Sequence, residues 1–68
     1  MIEVPIETEY ITLGQFLKYM KICQTGGQAK KFILEGKVKV NGAIELKRGK
    51  KLHKNDIIEV EGKTYIIK

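Results

Sequence analysis

Few residues of this chain carry chemistry, and they are thinly spread over its 68 positions. Cys23 is the one cysteine and His53 the one histidine. A nucleophilic cysteine needs a base within hydrogen-bond reach and a stabilised thiolate. Cys23 instead follows Ile22 at the end of an apolar stretch, where a small buried hydrophobe is the expected role. One Cys and one His cannot complete a tetrahedral metal site. His53 sits among lysines as a surface residue able to stack on a base. Glu3, Glu7, Glu9, Glu59 and Glu61 read as the solvent faces of strands and form no paired-carboxylate arrangement. No catalytic residue, metal or cofactor is assigned, and an enzyme is not expected.

The segment Thr25-Gly26-Gly27 is more suggestive. Two glycines in the first turn of a helix leave backbone N–H groups unshielded, and the helix dipole favours an anion there. A phosphate could sit at that end, with Lys30 and Lys31 nearby. The alternative is a tight loop before a capped helix. The nucleotide-binding pattern Gly-x-x-x-x-Gly-Lys-Ser/Thr is absent.

Charge placement points the same way. The net charge is +5, yet Lys18 to Lys54 holds eleven Lys or Arg against two acids, while the flanks hold two lysines against six acids. A concentrated positive field attracts polyanions, of which nucleic acid is the commonest in a cytoplasm. The bland reading is that the lysines merely solvate exposed faces. The acidic first residues have the wrong charge for a signal peptide, and no apolar run nears the ~20 residues of a membrane span. A reducing cytoplasm is the expected location.

Local signals define the elements that must position these groups. Ile2, Val4 and Ile6 alternate with polar residues or Pro5, which predicts a strand at a sheet edge. Thr12 with Gln15, and Thr25 with Gln28, mark two helix starts of capping-box type. Leu13, Phe16, Leu17 and Met20 form the buried stripe of the first helix, and Ala29, Phe32 and Ile33 that of the second. Gly36 ends the second helix, and each helix is expected to make about three turns. Val38 and Val40 then alternate with Lys37 and Lys39, so the two lysines point outward together. Asn41-Gly42 predicts a type I′ hairpin that sets Ala43 opposite Val40 and puts Ile44 on the lysine face. Lys47 to Lys54 reads as a basic loop and Asn55-Asp56 as a turn. Ile57–Glu61 and Thr64–Ile67 form a second hairpin around Gly62-Lys63. Grouped helices beside antiparallel strands indicate an α+β domain.

The stretch Leu13 to Ile58 resembles the S4 domain, an RNA-binding module of ribosomal proteins and RNA-modifying enzymes. Leu13-Gly14-Gln15-Phe16-Leu17 is similar to its first helix, Thr25 to its cap, and Ala29-Lys30 to the Ala-basic pair of its second. Gly36-Lys37-Val38-Lys39-Val40-Asn41-Gly42 matches its central motif in full, and Asn55-Asp56-Ile57-Ile58 stands for its last element. The whole chain looks like the short stand-alone bacterial S4-like proteins of the YaaA type. It departs from the family at Thr12-Leu13-Gly14, where Arg-Leu-Asp is usual. Gly26 stands where an Arg commonly touches phosphate, and Asn55 where a glycine is usual.

The resemblance implies an S4-like fold (αL motif) over residues 1–68 as a single domain. Two short packed helices would precede a small antiparallel sheet with an added N-terminal edge strand. It implies structured RNA, rRNA or tRNA, as partner, and ribosomal particles beyond that, with no membrane or small-molecule substrate. The expected RNA face holds Lys30, Lys31, Lys37 and Lys39, joined by Lys47, Arg48, Lys50 and Lys51 of the basic loop and by the helix end at Thr25, Gly26 and Gly27. Few aromatics are present, and Phe16 and Phe32 fit core positions, which favours an electrostatic clamp over a single-strand stacking platform. The rival readings are a DNA-binding accessory protein, a protein-interaction adaptor with a basic surface, and a degenerate hydrolase using Cys23.

Overall fold

Two threonines start the two helices. The Thr12 hydroxyl accepts from the Gln15 backbone N–H at 3.3 Å, and the Gln15 side chain accepts from the Thr12 N–H at 3.0 Å, the reciprocal capping box. In the computed structural model, which describes residues 1–68, this cap opens helix α1 (Leu13–Tyr19). Leu13, Phe16 and Leu17 are fully buried and Met20 half-buried, as their spacing requires. The helix makes two turns rather than three. Lys21 adopts φ +61°, and the Ile22 N–H turns back to the Leu17 carbonyl at 2.9 Å.

Helix α2 (Gly26–Leu34) starts with the Thr25 hydroxyl accepting from the Gln28 N–H at 3.1 Å. Here the Gln28 side chain reaches one residue further back and accepts from the Gln24 N–H at 2.8 Å. Ala29 and Ile33 are buried, whereas Phe32 is only partly covered. Gly36 follows with φ +75°, the left-handed conformation that terminates a helix without steric cost.

Strands β1 (Ile2–Val4), β7 (Lys63–Ile67), β6 (Ile57–Val60), β3 (Val38–Val40) and β4 (Ala43–Ile44) form one sheet in that spatial order. β1 lies at its edge as Pro5 suggested, but it pairs parallel to β7, so the sheet is mixed. Asn41 (φ +51°) and Gly42 (φ +85°) make the expected hairpin turn. Val40 faces Ala43, and Ile44 lies opposite Lys39 on the outer face. The second hairpin turns one position earlier than expected, at Glu61 (φ +52°) and Gly62 (φ +75°). Residues 47–54 are not a loop throughout. Lys51–His53 is strand β5, paired antiparallel with strand β2 (Tyr10–Thr12), and its Leu52 is fully buried.

One face of the larger sheet carries Val4, Val38, Val40, Ile58, Val60, Tyr65 and Ile67 into a single cluster with Leu13, Phe16, Leu17, Ala29 and Ile33. Phe16 meets Tyr65 edge-on at 5.3 Å between ring centroids, a favoured aromatic geometry. No buried side-chain polar atom lacks a hydrogen-bond partner. No helix is long and apolar enough to cross a membrane.

Candidate nucleic-acid interface

The first turn of α1 leaves backbone N–H groups without intrahelical acceptors, and the segment before β5 supplies them. Leu13 N–H donates to the Lys50 carbonyl at 2.8 Å and Gly14 N–H to the Arg48 carbonyl at 2.9 Å. This approach is close. A Cβ on Gly14 would lie 3.4 Å from the Arg48 carbonyl oxygen and 3.5 Å from the Arg48 Cβ, so the 48–50 backbone seats against the helix with room for a methyl group and nothing larger.

Held there, Arg48 reaches the first turn of α2. A Cβ on Gly26 would stand 3.9 Å from its guanidinium Nη1. Arg48, Gly26, Gly14, Gln15, Lys18 and Gly49 line a small notch. Two cationic side chains thus flank the end of α2 at which Gly26 and Gly27 present N–H groups without intrahelical acceptors. That combination suits an anion. Sequence reasoning counted Lys18 in the basic stretch but left it out of the expected RNA face. Its position one turn after Gly14 was the available signal.

The remaining expected residues divide among other places. Lys30 is exposed one turn after Gly26, on the same side of α2 as the notch. Lys31, about 100° further round the helix, lines a shallow groove with Cys23, Phe32 and Glu35. Lys37 forms an ion pair with Glu35 at 3.4 Å and lies 5.2 Å above the Phe32 ring centroid. Lys39 points from the outer sheet face, paired opposite Glu59. The two hairpin lysines do share one depression, with Glu59, Glu61 and Lys63 also in its wall. The basic segment thus meets α2 at its N-terminus through Arg48. Lys47 donates its backbone N–H to Glu45 Oε2 at 3.2 Å. Lys50 is exposed, and Lys51 Nζ sits 4.9 Å over the Tyr10 ring.

The groups considered for catalysis do not converge. Cys23 is only 5 % exposed; burial first, and the charge of Glu61 second, push its thiol pKa up. That is the reverse of thiolate activation. His53 lies beside Tyr10, 5.9 Å between ring centroids, with Nδ1 4.0 Å from Asp56 Oδ2. No three His, Cys, Asp or Glu side chains gather as metal ligands.

Comparison with known proteins agrees with this architecture. The S4 domain model matches residues 4–68. A curated relative, the probable ribosome maturation protein RlbA of Bacillus subtilis, is 49 % identical over 59 residues, covering 87 % of this chain and 83 % of its own. The crystal structure of the 30S ribosomal protein S4e from Thermoplasma acidophilum superposes with a TM-score of 0.71 at 24 % identity. That match covers 88 % of this chain and 32 % of the archaeal protein, so it speaks to the fold of about a third of that molecule. With the family pattern running over nearly its whole length, from the edge strand to the last strand, the chain belongs to the S4 domain family.

Proposed function

We propose that this protein binds structured RNA, rRNA or tRNA, by phosphate contacts centred on the notch between α1 and α2, and acts on ribosomal particles in the cytoplasm rather than as an enzyme. The observation that carries the reading is the placement of the Arg48 guanidinium against the first turn of α2, with Lys18 in the same notch. Arg48 takes up the role left open at Gly26: a cation at the head of α2, supplied by a neighbouring segment instead of by the helix itself. Thr25, Gly26 and Gly27 offer the helix end, while Lys30, Lys47, Lys50 and Lys51 extend the positive surface around it. Lys31, Lys37 and Lys39 lie outside this centre. A-form RNA hides its major-groove edges, so a rigid surface of this size reads shape and backbone. The name of the Bacillus relative supports a ribosomal setting.

The test is binding of the purified protein to ribosomal RNA, tRNA, single-stranded RNA and duplex DNA across a salt series. Affinity should fall by ~0.7–0.9 log units per log unit of salt for each phosphate neutralised. Arg48→Ala and Lys18→Ala should each flatten that slope, and a folded RNA should be preferred. Equal, weak binding to all four polymers, unchanged in Arg48→Ala, would sink the proposal and turn attention to a protein partner.

A further inference from the structure

Three of the five aromatic side chains, Phe16, Phe32 and Tyr65, pack in or against the core. The other two do not. Tyr10 is 38 % exposed and Tyr19 59 % exposed, and both line the same open groove, about 850 Å³ in volume, between α1 and the segment running into β2. Glu9, Gln15 and Lys18 complete its chemistry. Lys51 Nζ over the Tyr10 ring and the imidazole of His53 beside it add positive or polar groups at that tyrosine.

The groove neighbours the phosphate notch, with Gln15 and Lys18 lining both. Lys18 lines both depressions, Arg48 the notch alone and Glu9 the groove alone; a carboxylate there disfavours phosphate and is able to accept from the N–H groups of a base. An exposed tyrosine ring offers a flat apolar face to any base, and such stacking tolerates sequence. RNA modules commonly read unpaired bases in this way.

We infer that the Tyr10–Tyr19 groove is a stacking subsite for one unpaired RNA base, adjoining the phosphate notch. The inference rests on the phosphate reading proposed above and extends it: one base leaves the stack of the bound RNA and lies against Tyr19, while its backbone phosphate stays on Lys18 and Arg48. Sequence reasoning set a single-strand stacking platform aside because aromatics are few and both phenylalanines fit core positions. The tyrosines supply a single station, not a platform.

The experiment compares a single-stranded RNA of about eight nucleotides, a length within one module's reach, with the same strand made of abasic residues. The phosphates are identical and only the bases differ. A 2-aminopurine in the base-bearing strand reports stacking by quenching. The base-bearing strand should bind roughly tenfold more tightly, with quenching on binding. Tyr19→Ala should abolish both the preference and the quenching and leave abasic binding unchanged, and Tyr19→Phe should keep them. Equal affinity for the two strands with the salt slope intact would overturn the stacking subsite alone, as would a Tyr19→Ala protein that keeps its preference. No binding of either strand beside salt-dependent binding of a folded RNA would also overturn the stacking subsite alone, and no salt-dependent binding of any RNA would overturn the RNA reading itself.

Discussion

The Asn41 side-chain amide donates to the Asp56 carboxylate at 3.1 Å, tying the β3–β4 turn to the turn before β6. Each partner also serves backbone. Asn41 Oδ1 accepts from the Ile57 N–H at 2.9 Å, and Asp56 Oδ2 accepts from the His53 N–H at 2.8 Å. The two motif residues therefore act as one clamp that aligns β3 with β6 and closes β5.

That clamp can be removed without disturbing the hairpin backbone. Asn41 adopts φ +51°, so Asn41→Gly keeps the turn conformation and deletes only the side-chain bonds. Each of Asn41→Gly and Asp56→Ala should cost about 1–2 kcal/mol, read as a fall of roughly 4–15 °C in melting temperature. The double variant should lose less than the sum, since both act through one network. Full additivity in thermal melts would show the turns to be independent.

Gly14 should respond to side-chain size rather than to helix propensity. A methyl group meets the Arg48 carbonyl oxygen at 3.4 Å, so Gly14→Ala should stay within about 1 kcal/mol of wild type as improved helix propensity offsets crowding. Gly14→Leu has no room against the 48–50 backbone and should destabilise by ~1–3 kcal/mol through overpacking. Because it displaces Arg48, Gly14→Leu should also weaken RNA binding in a filter or anisotropy assay, whereas Gly14→Ala should not.

The lysines should separate by location. Lys37 and Lys39 face Glu35 and Glu59 respectively. Lys37→Gln and Lys39→Gln should leave the salt slope of RNA binding near that of wild type, and Lys18→Gln should lower it by ~0.7–0.9. Loss of the exposed Lys37–Glu35 pair should change stability by less than about 1 kcal/mol. A marked loss of affinity in Lys39→Gln would move the interface to the outer sheet face.

Cys23 makes stability depend on alkaline pH. Its pKa is raised in the folded protein, chiefly by burial, so above the ordinary thiol value of ~8.5 the unfolded chain ionises while the native thiol stays protonated. The favourable contribution is complete below that value and is lost as pH rises through the raised native pKa. Denaturant melts should therefore show a decline above about pH 8.5 that is smaller in Cys23→Ala. Alkylation by iodoacetamide should be slow at neutral pH and accelerate with denaturant.

Features set by neighbouring residues were legible in the sequence. Thr12 with Gln15 and Thr25 with Gln28 are short-range caps, and Asn41-Gly42 imposes its turn through its own backbone preference, so both helices and the central hairpin were readable. Pairings that depend on distant partners were not. Lys51-Leu52-His53 becomes a strand only because Tyr10–Thr12 lies beside it, and its charge makes it look like a loop. The parallel partner of β1 is sixty-odd positions away. Glu61 takes φ +52°, a conformation that a non-glycine residue does not advertise. The candidate site suffered most, since Arg48 is placed by a backbone contact with Gly14 that no periodicity encodes.

The position of β7 has a consequence for how the molecule comes into being. This last strand lies between β1 and β6, and the Lys68 N–H and carbonyl bond to Val4 and Ile6 at 2.9 and 3.2 Å. During synthesis the helices can form early, but β1 waits without a neighbour until β7 emerges. Such distant pairing slows folding, because a long loop must close before any contact rewards it. Completion of the sheet thus waits on β7, and a polypeptide cut before Lys63 would present the open edges of β1 and β6 to its surroundings.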